Sequence, residues 1–208
     1  PFTWGALMVA SWSLEIPESG IATLTVTTTG RDVVTATAAV VPAARSTEDH
    51  LLHSGGASLS TGAYVAPGAT TLATAATPVA GVRSLSISVD NNLVTLPGWG
   101  TAVSRPIPGA APTVTGTLNV DFVTGGPFVS AFLNRTDLTL LATLAAVENG
   151  DELVQIAIPS LRVTGEIPKA GAPTDMQQLS LPFTAMRAVT DPSDDLIVVV
   201  NRTYDTTI

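Results

Sequence analysis

The chain contains no cysteine. That removes disulfides, thiolate metal ligands and thiol nucleophiles in one stroke. It also has almost no lysine: Lys169 is alone, and the eight arginines stand singly along 208 residues. Proteins that grip nucleic acid need clustered cations to displace counterions from phosphates, so conventional nucleic-acid binding is excluded. Charge of either sign is scarce, 12% of residues against about 25% in ordinary soluble domains. No apolar run reaches the roughly 18–20 residues of a membrane-spanning helix, so no membrane segment is expected. No secretory leader is legible, and the chain opens Pro1-Phe2-Thr3-Trp4-Gly5 without an initiator methionine. We therefore expect an N-terminal portion of the parent protein to be absent from this chain.

What remains is Ala, Thr, Val, Ser and Gly, with a net charge of −8. A surface so poor in ions sheds little bound water on contact, which favours assembly. The same composition also fits a plain Ala/Thr-rich globular domain.

Alternation with a period of two dominates, so the expected fold is mainly β. Ala6–Ile16 alternates as a half-buried strand, with Met8, Ala10, Trp12, Leu14 and Ile16 in one phase. Ile21–Thr29 and Asp32–Val40 follow as β-branched strands joined at Gly30-Arg31. Residues 41–81 hold both histidines and many small residues with no sustained period. They read as a long loop excursion, with a short strand near Ala63–Val65. Val82–Val89 sets Leu85, Ile87 and Val89 against three serines, and its pattern echoes Val9–Leu14 as a weak internal repeat. Asp90-Asn91-Asn92 is a turn, and Pro97–Pro112 is a Gly/Pro-rich loop carrying Trp99. Val114–Val123 alternates most cleanly, with Val114, Leu118, Val120 and Phe122 inward.

Gly125-Gly126-Pro127 opens one short helix that runs to about Arg135. Phe128/Phe132 and Val129/Leu133 are its i,i+4 pairs. Thr136–Ile167 then forms a long hairpin around Glu148-Asn149-Gly150-Asp151. Leu138, Leu140, Ala142 and Leu144 share one face of its first strand. Val154, Ile156 and Ile158 share one face of its second, and at Pro159 the phase slips to Leu161 and Val163. A proline cannot donate to a ladder, so a bulge or a corner is expected there. The hairpin has apolar residues on parts of both faces, which leaves open what covers the second one. Gln177–Val189 carries Pro182 and reads as an edge or bulged strand. Asp195–Arg202, nearly all apolar, suits a buried strand.

No catalytic constellation stands out. His50 and His53 lie beside Glu48 and Asp49, but the spacing matches no closed metal site. There is no Gly-x-Ser-x-Gly elbow, no phosphate-binding loop and no dinucleotide fingerprint. Asp151-Glu152 and Asp194-Asp195 read as solvated turn carboxylates. Two Asn-x-Thr triplets, at Asn134 and Asn201, have no secretory context. Trp4, Trp12 and Trp99 could together serve as a sugar platform, but Trp12 reads better as core and Trp99 as a loop plug. Neither an enzyme nor a cofactor is indicated.

The order of elements resembles the tail tube proteins of long-tailed bacteriophages. The strand Val82–Val89 ending in Asp90-Asn91 is followed by a Gly/Pro loop and then by Val114-Thr115-Gly116-Thr117-Leu118. The short helix Phe128–Arg135 comes next, and then a hairpin whose second strand carries Ile158-Pro159-Ser160-Leu161. Phe2–Gly5 and Gly30-Arg31 are loosely similar to the family's N-terminal part, while 41–81 matches least. The resemblance implies a β-sandwich or barrel of tail-tube type, a single domain over 1–208 with 41–81 as an insertion. It implies a structural virion protein, assembled in the bacterial host cytoplasm beside other tail proteins. Its copies would form hexameric rings stacked into a tube through which DNA passes without specific binding. Under it, inter-subunit contacts are expected at the 41–81 loop, Trp99 and Pro159. The competing reading is a secreted β-sandwich adhesin or carbohydrate-binding module using Trp99.

Overall fold

The computed structural model describes residues 2–5, 7–30, 32–35, 52–68, 71–95, 106–121, 126–146, 153–165, 178–187 and 195–202. In chain order the strands are β1 (Phe2–Gly5), β2 (Met8–Ile16), β3 (Thr23–Thr29), β4 (Asp32–Thr35), β5 (Ala57–Val65), β6 (Thr74–Val79) and β7 (Val82–Asp90). They continue as β8 (Leu93–Val94), β9 (Ile107–Pro108) and β10 (Thr113–Asp121). Helix α1 (Gly126–Asn134) precedes β11 (Leu138–Ala145), β12 (Leu153–Val163), β13 (Gln178–Ala185) and β14 (Val198–Arg202). The fold is mainly β, with antiparallel pairing throughout the registers and one α-helix among the described residues.

Contacts divide the chain into two compact units, the first made of Pro1–Ser13, Leu24–Asp49 and Ser88–Thr113. Within it β1 pairs with β4 and β8 with β9. The Asp90-Asn91-Asn92 turn is its organising point. Asn92 takes a positive φ of 48°, which asparagine tolerates better than most residues, and its N–H donates to Asp90 Oδ1 at 2.8 Å. Asn91 Nδ2 donates to the carbonyl of Val9 at 2.9 Å, and Asn92 Nδ2 to that of Ala111 at 2.6 Å. Two short side chains thus fasten the turn to β2 and to the residues after β9.

The second unit, Leu14–Thr23, His50–Ile87 and Val114–Ile208, holds the larger sheet. Its strands lie in the order β7-β10-β13-β12-β11-β5-β6, with β14 beside β12. Alternation in β7, β10 and β13 is translated directly into burial. Leu85, Ile87, Val114, Leu118, Val120, Leu179, Leu181 and Phe183 are all buried, and the residues between them are not. Helix α1 packs against β12. Phe128 and Ala131 are buried there, an i,i+3 pair, whereas Leu133 is 60% exposed. The expected Val129/Leu133 pair is therefore not part of the covered face: a helix this short presents about one stripe, and Phe128 fixes which.

The long hairpin forms as expected, although its turn lies outside the described residues. Leu140 pairs with Ile158, Ala142 with Ile156 and Leu144 with Val154, on one face. Leu138 pairs with Leu161, so β12 inserts one extra residue around Pro159. The bulge is held by hydroxyls: Thr139 Oγ1 donates to the Pro159 carbonyl at 2.9 Å, and Thr61 Oγ1 to the Thr139 carbonyl at 2.7 Å. The second face is covered by the chain's own residues between β5 and β6. Ala73 packs on Leu141 and Ala157, with Tyr64, Ala75 and Val198 around them.

Three expectations fail. Of the 41–81 excursion, residues 41–51 and 69–70 lie outside the described part, but most of what is described is no loop. It is a short 3-10 turn (Ser54–Gly56) and the hairpin β5–β6, with β5 pairing onto β11. Ala, Ser and Thr alternate in size rather than polarity there and print no period, and pairing to β11 supplies what propensity does not. Second, β13 is not an edge strand: it lies between β10 and β12. Pro182 is tolerated because β12 stops pairing with β13 at Val163. In an antiparallel strand a residue's N–H and C=O point the same way. The Pro182 carbonyl accepts from Thr164 N–H at 2.8 Å, so its missing N–H falls where the ladder has already ended. Third, β14 is not buried. It pairs only with Leu153–Ala157 of β12, and Val199 is 51% exposed.

Candidate functional site

The residues suited to chemistry are not brought together. Among the described residues no group of three or more His, Cys, Asp or Glu could hold a metal ion. His53 acts locally, as a cap: its Nδ1 accepts from Gly55 N–H at 3.0 Å and closes the 3-10 turn. The neighbouring backbone joins it to the β2–β3 connection, with Ser54 N–H donating to Gly20 O and Ala22 N–H to Leu52 O. His50 and Trp99 lie outside the described residues. Pro159 is buried at its bulge, within the chain's own sheet.

A different kind of site emerges on the sheet face turned away from the core. The register opposes Thr115 to Thr184, Thr117 to Pro182 and Asn119 to Ser180. Directly opposed residues share a face, so all six stand together. From β7, Ser84 and Ser86 occupy the phase opposite the buried Leu85 and Ile87, and Asn119 Nδ2 donates to Ser84 Oγ at 2.8 Å. From β12, Arg162 stands opposite Thr184 and extends the same face. The result is a carpet of short hydroxyl and amide groups, interrupted by the Pro182 ring and bordered by Met186, which is 37% exposed. Its cation is not free: Arg162 Nη2 and Nε donate to Asp137 Oδ1 at 2.8 and 3.0 Å.

Gly116 makes this face possible from beneath. It sits on the core phase of β10, opposite Phe183, and a Cβ there would collide with the Phe183 ring and with the Ser86 carbonyl. Absence of a side chain lets the ring lie over the strand and lets β7 approach.

At the end of β7, Arg83 ties three segments. Its Nε donates to Asp121 Oδ1 at 2.8 Å and its Nη1 to Glu18 Oε1 at 2.6 Å. Hydrogen bonds to Asp121 first, and then to Glu18, raise its pKa above the ordinary arginine value. This ion pair rims a cavity of about 460 Å³ whose walls include Ile16, Leu59, Val79, Leu85 and Ala142. Its polar lining is Ser54, Ser58, Ser60 and Ser84 beside the Arg83–Glu18 pair, whose charges already satisfy each other.

Sequence reasoning passes over Gly116, Arg83 and Gln155. Each carries a signal: a glycine inside a strand, a charged residue at the core phase of β7, and an amide on the second face of an apolar strand.

Compared with known proteins, the chain is matched over residues 2–185 by a family model described as phage tail tube protein. No curated protein matches it.

Proposed function

The chain belongs to the phage tail tube protein family, and from that premise we propose that its copies form hexameric rings that stack into the tail tube, a conduit for DNA delivery into the host cell. The observation that carries this reading is a family match that runs from β1 to the end of β13, across both compact units. Composition supports it. A surface with so few charges can be buried between copies without stripping many ions of water. A cation-poor protein also releases few counterions on meeting DNA, and so lets it slide. In this role the protein acts as a structural subunit rather than an enzyme, alongside other tail proteins, after assembly in the bacterial cytoplasm. We place contacts between copies at the 41–81 region and at the loop bearing Trp99. Pro159, buried, acts on such contacts by shaping β12.

Negative-stain images of concentrated purified protein test this reading. Rings or tubes of uniform diameter are expected. A strictly monomeric, featureless sample would overturn it.

A further inference from the structure

We infer that the hydroxyl face of β7, β10, β13 and the end of β12 lines the conduit, and that its occupant is passing double-stranded DNA. The inference rests on the tube reading above and deepens it by naming the wall.

A wall for a moving polyanion must lack free cations. Each free Lys or Arg on it would neutralise a phosphate and release a counterion, and each such contact strengthens retention. The cation on this face is Arg162, and Asp137 already occupies both its Nε and one Nη. Arg83, at the strand ends, is likewise shared between Asp121 and Glu18. The rest of the face offers Thr115, Thr117, Asn119 and Ser180, whose short groups hold water but carry no charge. A hydrated neutral wall leaves phosphates in their own ion atmosphere.

The alternative occupant is another copy of the chain. Faces that are buried between copies are enriched in aromatic and large apolar residues at their centre. At its centre this face has only the Pro182 ring. In the same unit, large exposed apolar side chains such as Leu133 and Val199 lie on α1 and β14 instead. Gly116 lets β7 lie close to β10 beneath this face, since a Cβ there would collide with the Ser86 carbonyl.

Because the chain has no cysteine, a single introduced thiol reports its own surroundings. Thr117→Cys and Ser180→Cys, made separately, are assembled into tubes and treated with N-ethylmaleimide or with a large polyethylene-glycol maleimide. Both thiols are expected to react with the small reagent in tubes. Labelling by the large reagent is expected to fall about tenfold or more relative to unassembled protein, since access limits thiol reactivity. Equal labelling of tubes by the large reagent would put the face outside and overturn the inference. Protection from both reagents, or failure of both folded variants to assemble where the unsubstituted protein does, would put it between copies and overturn it too. If the unsubstituted protein forms no tube, the tube reading itself falls, and the inference with it.

Discussion

Gln155 closes a two-point hydrogen bond on the backbone of Ala73: Ala73 N–H donates to Oε1 at 2.8 Å and Nε2 donates to the Ala73 carbonyl at 3.0 Å. The side-chain amide thereby stands in for a neighbouring strand. Nε2 also donates to Thr143 Oγ1 at 3.2 Å, which fixes the orientation of the amide. This clamp holds Ala73 against Leu141 and Ala157, the second apolar face of the long hairpin. Gln155→Leu keeps the volume but leaves a buried N–H and a buried C=O unpaired. At about 1–3 kcal/mol for each such group, a total loss of about 2–6 kcal/mol is expected. Urea unfolding should show a lower midpoint with an unchanged slope. A loss below about 0.5 kcal/mol would mean that the clamp contributes nothing beyond packing.

Gly116→Ala is expected to be far more damaging than its single methyl suggests. The added Cβ meets the Phe183 ring and the Ser86 carbonyl together. A ring can rotate away, but a backbone carbonyl moves only if β7 moves. Overpacking of this kind costs about 1–3 kcal/mol and occasionally more, and here the upper end is expected. Pairing it with Phe183→Leu separates the two collisions. If the double variant recovers full stability, the ring was the obstacle; partial recovery identifies the strand approach.

What is legible in the sequence follows from contrast. β7 and β10 alternate strongly hydrophobic with polar residues, and their phases can be read directly. Helix α1 announces itself through Gly126-Pro127, and the bulge through Pro159. β5 and β6 stay hidden because Ala, Ser and Thr differ too little in hydropathy to print a period. Pro182 misleads because the rule against proline in central strands concerns a missing donor, and here β12 ends where that donor would have been used. The hydroxyl face is also in view, as the polar phase of three strands. What cannot be read is that the registers of β10, β13 and β12 place those phases side by side, because strand order depends on contacts distant in sequence.

The Arg83 cluster has a pH signature whose direction follows from its partners. Asp121 and Glu18 raise the folded-state pKa of the guanidinium above its unfolded value. A raised base contributes stability that is fully present below its unfolded pKa and is lost only as pH climbs through the folded one. That window lies beyond ordinary alkaline buffers. The melting-temperature difference between the unsubstituted protein and Arg83→Gln should therefore be the same at about pH 7 and about pH 10, where arginine stays charged. A difference that shrinks towards pH 10 would show that another titrating group sets the worth of this cluster.

Arg135 ends helix α1 in a left-handed conformation, φ 53°, where glycine is the usual residue. Thr136 N–H donates to the Ala131 carbonyl at 3.0 Å and Arg135 N–H to that of Phe132 at 3.3 Å, the paired bonds of a Schellman cap. Two effects oppose each other at this position. A side chain at positive φ costs about 1–2 kcal/mol. A cation at a helix C-terminus contributes about 0.3–1 kcal/mol at low ionic strength. Glycine removes both, and also loosens the unfolded chain by about 0.4–1 kcal/mol. At low salt the terms nearly cancel, so Arg135→Gly should change stability by less than about 0.5 kcal/mol. Salt screens the helix-end charge but leaves backbone strain untouched. The stability of Arg135→Gly relative to the unsubstituted protein should therefore rise as salt is added, measurable as a growing difference in denaturation midpoints. A difference that falls with salt would show that the Arg135 charge does not stabilise the helix end.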